Sequence, residues 1–231
     1  MKPTHYFNGQ TGLADRFFFQ MLQITHFRKS YNSHVVLQID TFTISPGMYW
    51  VRGSNGSGKS TFLKALAGIT SFEGDVILNE QLSIRKQSVA YRSVVNFAEA
   101  EPVFPEFLTG IELIQLFKSA KNAPTHQEDF YLESMNMMSY VDEPVSTYSS
   151  GMLKKLSLVL AFLGRPACIL LDEPLTTLDA ESLPILYSWI VNLRQQQETI
   201  VLMSSHQAFE EELLPTVQDI LVDQTTIRYT A

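Results

Sequence analysis

Gly53-Ser54-Asn55-Gly56-Ser57-Gly58-Lys59-Ser60-Thr61 sets the architecture of the whole chain. The spacing is G-x-x-x-x-G-K-[ST], that of a phosphate-binding loop. Its glycines let consecutive backbone N–H groups turn inward around an anion. A helix that follows adds its positive N-terminal end. Lys59 can reach the terminal phosphates of a nucleotide, and Ser60 can offer its hydroxyl to Mg2+. Residues Gly53, Ser54, Asn55, Gly56, Ser57, Gly58, Lys59, Ser60 and Thr61 are therefore all candidate nucleotide contacts. The flanks agree. Pro46-Gly47 is a turn, Met48–Val51 has the apolar run of a buried strand, and Phe62, Leu63, Leu66 and Ala67 recur at helical spacing before Gly68.

Such a loop needs a carboxylate beside it for the metal. Cys168-Ile169-Leu170-Leu171-Asp172-Glu173-Pro174 supplies one, as a short apolar strand that stops at two acids. Ligands of open parallel sheets collect at that C-terminal edge. Asp172 suits Mg2+, held directly or through water, and Glu173 is placed as general base or polariser toward an attacking water. Cys168 reads as a core residue.

Elsewhere, Met21–Ile24, Val35–Ile39 and Thr41–Ile44 read as strands, and 74–95 as a strand pair with a turn. Residues 108–140 read as helical, interrupted at Pro124. A helix with Leu153, Leu156, Leu160 and Leu163 on one face stops at Gly164-Arg165-Pro166, and Thr199–Met203 and Asp219–Asp223 are further strands. Strands that alternate with helices predict an α/β fold, a parallel sheet flanked by helices.

Composition narrows the class. The chain has 231 residues, 45% apolar and 18% charged, with one cysteine and a net charge of −7. One cysteine excludes an intrachain disulfide and a zinc site of several thiolates. The acidic balance argues against nucleic acid as a partner. No stretch approaches the ~20 apolar residues of a membrane span. Residues 1–20 lack the h-region and cleavage site of a signal peptide and read as an N-terminal extension, either an ordered one or the product of an upstream start codon.

With these residues in place, the chain from Met21 onward resembles the ATP-binding subunit of an ABC transporter, of the smaller exporter type. Tyr148-Ser149-Ser150-Gly151-Met152 is similar to the family signature Leu-Ser-Gly-Gly-Gln. Leu178-Asp179 stands where the family has its D-loop, and Ser204-Ser205-His206 where it has its switch histidine. Tyr31 stands near the adenine-stacking aromatic, though it also fits a packing role. The resemblance implies a P-loop NTPase core in one domain, residues 21–231. It adds an antiparallel β region near the N-terminus and an inserted helical subdomain at about 105–150. It implies ATP and Mg2+ as cofactors, and Glu173, His206 and Lys59 as catalytic residues. Ser149, Gly151 and Asp179 become nucleotide contacts across an interface with a second cassette, a homodimer or a heterodimer. Separate integral membrane permease subunits are the other implied partners, docked in the groove beside the helical subdomain. The expected location is cytoplasmic, peripheral to the inner face of the membrane.

Three positions depart from the pattern. Ser150 replaces a signature glycine, and Met152 replaces its glutamine. In Asn96-Phe97-Ala98-Glu99-Ala100-Glu101-Pro102-Val103-Phe104-Pro105, Glu99 takes the place of the family's loop glutamine and becomes a candidate Mg2+ ligand, with Glu101 as the alternative. A soluble, non-transport cassette acting as a switch or scaffold is the rival reading.

Overall fold

The computed structural model of the chain describes residues 21–196, 198–205, 214 and 216–230. The expected extension at 1–20 lies outside them. In chain order, β1 (Leu22–Tyr31) and β2 (His34–Ile44) form a hairpin, and β3 (Gly47–Arg52) leads to α1 (Lys59–Leu66). Next come β4 (Glu73–Leu78), β5 (Leu82–Ser83), α2 (Ser88–Val94) and β6 (Val95–Ala98). Then α3 (Gly110–Lys121) and α4 (Gln127–Ser134) precede α5 (Ser150–Phe162), β7 (Cys168–Asp172), α6 (Ser182–Gln196), β8 (Ile200–Ser204), β9 (Val217–Asp223) and β10 (Thr226–Tyr229).

One sheet is antiparallel, in the order β2-β1-β4-β5. The other runs β10-β9-β3-β8-β7-β6 and is parallel except for the antiparallel β10–β9 pair at its edge. The α/β class, the parallel sheet with helices and the antiparallel region near the N-terminus are thus present. The chain leaves β3 toward the β6 edge and later returns to its other side as β9. That reversal places the end of β3 at a topological switch point, where open sheets bind ligands.

Alternate residues of the central strands feed two cores. Ile169 and Leu171 of β7, with Val201 and Met203 of β8, join a core with α3, α5 and α6. Cys168, Leu170, Ile200 and Leu202 join the core that α1 and the antiparallel sheet cover. Both faces being buried explains why β7 and β8 read as continuous apolar runs. Cys168 is fully buried, and burial pushes its thiol pKa up.

The segment 74–95 corrects the expectation of a strand pair alone. Ser88–Val94 is a helix. Its Val89, Tyr91 and Val94 favour strands by propensity, but tertiary packing decides. Tyr91 is fully buried and its hydroxyl donates to the Leu66 carbonyl at 2.8 Å, and the chain crosses here from the outer sheet to the parallel strand β6. The helical stretch 108–140 splits at Pro124 as expected, but its second helix ends at Ser134, and 135–140 turn instead of continuing it. Thr109 and Glu112 form a capping box for α3, and Asn122, at φ 47°, ends it ahead of Pro124.

Candidate nucleotide site

The loop after β3 is shaped by close approaches. A Cβ on Gly53 would lie 2.5 Å from the Val222 carbonyl of β9, and Gly58, at φ 107°, would put one 3.0 Å from Val36 of β2. Only glycine fits either place. Lys59 is 5% exposed. Its Nζ donates to the Gly53 carbonyl at 2.9 Å and to the Ser54 carbonyl at 3.2 Å, bridging the loop from within. Burial lowers the Lys59 pKa, and the Glu173 and Asp172 carboxylates oppose that shift. Ser57 Oγ is buried inside the loop with no hydrogen-bond partner.

The acids arrive from β7, next to β8. Asp172 is 1% exposed. Its Oδ1 accepts from Ser60 Oγ at 3.0 Å and from Ser204 Oγ at 2.6 Å. Its Oδ2 is buried and without a partner. A buried, orphaned carboxylate oxygen beside a hydroxyl on a phosphate loop is a hard-oxygen donor set. Mg2+ takes one or two carboxylates together with substrate phosphates, so the residues fit that ion. Glu173 adopts φ 46°, an uncommon conformation for a non-glycine residue that clusters at functional sites. Its N–H donates to the Ser204 carbonyl and to Ser204 Oγ, each at 3.2 Å.

Glu99 follows β6 immediately, one step beyond the Ala98–Leu171 register pair and so abreast of Asp172. Its carboxylate is ion-paired with Lys64 of α1. The sequence reading assigned nothing to Lys154, yet the structure places it at the centre of this region. Its side chain is fully buried, and its Nζ donates to the carbonyls of Glu99 (2.9 Å), Ala100 (3.2 Å) and Asp172 (3.1 Å). Burial lowers its pKa to about 8 against the pull of Asp172, Glu173 and Glu99. The available signal was a lysine sharing a helix face with Ser157, Leu158 and Ala161, all of them buried.

The signature residues open α5. Ser149 is its N-cap, with Oγ accepting from the Met152 N–H at 3.3 Å, while Met152 Sδ accepts from the Ser149 N–H at 3.5 Å. Met152 thus fills the capping position of the family glutamine with a weaker acceptor. Ser149 and Ser150 are exposed. A Cβ on Gly151 would lie 3.1 Å from the Thr177 carbonyl, so the segment leading to Asp179 packs on the signature loop. Asp179 itself pairs with Lys155 at 2.7 Å and accepts from the Ser182 N–H at 2.8 Å at the start of α6. These two contacts hold its carboxyl down at about 2. Tyr31 ends β1, 49% exposed, with Lys29 Nζ 4.5 Å from its ring centroid. The Val36–Gly58 contact brings its hairpin to the phosphate loop. His206 lies outside the described residues. The chain just before it is held by Trp50, whose Nε1 donates to the Ser205 carbonyl at 3.4 Å.

A cavity of about 330 Å³ opens between α1, α2, the loop after β6, α3 and α5. Ile69 and Val103 line it and are 58% and 87% exposed. Met135 and Met137 are fully buried in the core, and Leu108 and Phe117 pack against it. Phe107 and Met138 are exposed.

The sequence profile of the ABC transporter family matches residues 37–176. ABC transporter A family member 8 of Dictyostelium discoideum is 31% identical over 176 residues, 74% of this chain and 21% of that protein. Human ATP-binding cassette sub-family A member 2 is 30% identical over 214 residues, 88% of this chain and 9% of that protein. The ABC transporter ATP-binding protein YhcH of Bacillus subtilis (strain 168) is 26% identical over 84% of this chain and 64% of its own length. The chain therefore spans less than two thirds of each of these relatives. The fold superposes on an ATP-binding subunit of an ABC transporter with a TM-score of 0.81 and 22% identity, covering 91% and 90% of the two chains. It also matches the ATP-binding cassette MJ0796, in a dimeric post-hydrolysis state bound to ADP and Pi. There the TM-score is 0.73 at 19% identity, covering 90% and 97%.

Proposed function

The chain belongs to the ABC transporter family, and from that membership we propose that it binds ATP with Mg2+ and hydrolyses it to drive transport through separate membrane subunits. The observation that carries the reading is the meeting of Ser60 and Asp172, with the second oxygen of Asp172 buried and unpartnered beside the phosphate loop. Mg2+, when bound, offsets phosphate charge at that point. Lys59 exchanges its two carbonyl partners for phosphate oxygens. Asp172, Ser60 and, in this reading, Glu99 hold the metal. Glu173 draws the proton from the attacking water, and His206 orients that water or contacts the γ-phosphate. Tyr31 stacks on the adenine.

One chain carries the phosphate loop and the signature loop, so two copies head to tail make two complete sites. The N-terminus of α5, with Ser149 and Gly151 exposed or half-exposed, is an anion-binding end suited to the γ-phosphate of the other copy, and Asp179 approaches the same interface. ATP then acts as the joint between cassettes. The groove with Ile69 and Val103 at its rim receives the membrane subunit, which sets the chain on the cytoplasmic face. Among the described residues no helix is long and apolar enough to cross a membrane.

Glu173→Gln tests the core of this proposal. The substitution keeps nucleotide binding and removes the base, so turnover falls ~10²–10⁴-fold. Light scattering at millimolar ATP and Mg2+ then reports a dimer that is absent without nucleotide. A variant that stays monomeric under those conditions removes the sandwich. Recovery of a multi-span membrane protein with the tagged chain supports the transporter role, and recovery of soluble partners alone supports the scaffold.

A further inference from the structure

We propose that Lys154 is a positioning residue for nucleotide turnover, its ammonium clamping the loop that leaves β6 to the peptide bond between Asp172 and Glu173. The inference rests on Glu173 being the base of an ATPase, and it deepens that reading by naming what holds the base in place.

A lysine ammonium has three N–H donors, and here three carbonyls take them. Glu99 and Ala100 supply two, at 2.9 and 3.2 Å, and Asp172 supplies the third at 3.1 Å. The Asp172 carbonyl belongs to the same peptide unit as the Glu173 N–H, which donates to Ser204. That unit is therefore gripped on both edges, by α5 through Lys154 and by β8 through Ser204. The grip falls where Glu173 takes its uncommon φ of 46°. Released on one edge, the peptide can relax toward an ordinary conformation, and the Glu173 carboxylate moves with it. The other arm of the clamp reaches the loop whose later residues Pro102, Val103 and Phe104 line the groove. Lys154 thus gives a direct mechanical link from groove to base.

A purely structural filler at a fully buried position is better made apolar, because burying an ammonium carries a desolvation cost that a hydrophobic residue avoids. The neighbours of Lys154 on its helix face follow that logic, since Leu158 and Ala161 are buried apolar residues. Beside the buried hydroxyl of Ser157, Lys154 is the charged residue on that face, and it lies at the point where the loop, the acid pair and the signature helix meet.

The test uses the full chain with Lys154→Met and Lys154→Arg. In Lys154→Met, kcat for ATP falls ~10–100-fold, the scale of an ångström's misplacement of a reacting group, while KM stays within about threefold because the phosphate loop is untouched. Lys154→Arg keeps donors and charge and restores kcat to within about tenfold of the parent. A folded Lys154→Met chain with unchanged kcat overturns the proposal. Native-state hydrogen exchange on the unsubstituted chain supplies an arm that needs neither variant nor nucleotide. The amides of 99–101 and 172–173 open as one unit, with a shared denaturant dependence. Two independent openings overturn the clamp. A parent chain that turns over no ATP defeats the ATPase reading instead, and independent opening of the two segments still overturns the clamp.

Discussion

Replacing Asp172 by Asn separates metal binding from folding. Asp172 Oδ1 accepts two hydroxyl hydrogen bonds, from Ser60 and Ser204, and an amide oxygen can accept both. The difference falls on Oδ2, which is buried and without a partner. In the parent it belongs to a carboxylate that offsets the buried ammonium charges of Lys59 and Lys154. In Asp172→Asn it becomes an NH2 group, whose unmet donors cost about 1–3 kcal/mol. The nucleotide-free variant therefore starts from a lower Tm, and the comparison is made on increments. Its response to Mg2+ is lost as well. A ligand held at ~100 times its Kd stabilises a protein by about 2.7 kcal/mol, which for a chain of this size raises Tm by roughly 5–11 °C. Thermal unfolding with a non-hydrolysable ATP analogue, with Mg2+ or with EDTA, reads the increment due to the metal. The parent gains several degrees from Mg2+ and Asp172→Asn gains none, while both keep the gain from nucleotide alone. An equal Mg2+ increment in the two proteins would falsify the assignment of Asp172 to the metal.

Tyr31→Ala weakens ATP binding roughly tenfold or more on the ~1–3 kcal/mol scale of base–aromatic stacking, and Tyr31→Phe is mild. Equal affinities by titration of a fluorescent ATP analogue return Tyr31 to packing over Lys29. Glu99→Gln keeps ATPase activity within a few-fold and shifts its Mg2+/Mn2+ preference, and Lys64→Ala, which frees the Glu99 carboxylate from its ion pair, shifts it in wild-type background. Superimposable metal titrations for all forms place the metal contact elsewhere than Glu99. Asp179 is held at about 2, below its ordinary 3.8, by Lys155 and Ser182. A depressed carboxyl pKa adds stability that is full above the unfolded value and lost as pH falls through the folded one. The Tm gap between the parent and Asp179→Asn is thus open at pH 6 and closes between about pH 4 and pH 2; a gap that does not change with pH refutes the ion pair's contribution.

Much of the fold is legible because strands buried on both faces leave an unmistakable trace. Cys168–Leu171 has no polar residue to alternate with, and the sheet places β7 between β6 and β8. The phosphate loop is legible for a different reason, since its glycines answer to backbone geometry that no other residue meets. Ser88–Val94 was not legible as a helix. Its Val89, Tyr91 and Val94 favour strands, it has no side-chain cap, and what stabilises it is Tyr91 reaching the Leu66 carbonyl from 25 residues away. No local pattern carries that contact.

The site divides along the same line. Residues proposed to touch a ligand through a loop of fixed shape announce themselves by spacing, as Lys59, Ser60 and the Asp172-Glu173 pair do. Residues that act through other protein groups do not. Glu99 could be found by counting back from Phe104-Pro105, but nothing in that count says that Lys64, one turn into α1, holds its carboxylate. Met152 looks like a loss when set against the family glutamine, yet its thioether closes the same capping box on Ser149. Lys154 belongs to the signature helix by sequence and to the acid pair by contact. Its three acceptors are backbone carbonyls, and every residue offers a carbonyl, so the partners leave no mark in residue type. A cation that serves carbonyls becomes visible only when the fold shows which carbonyls they are.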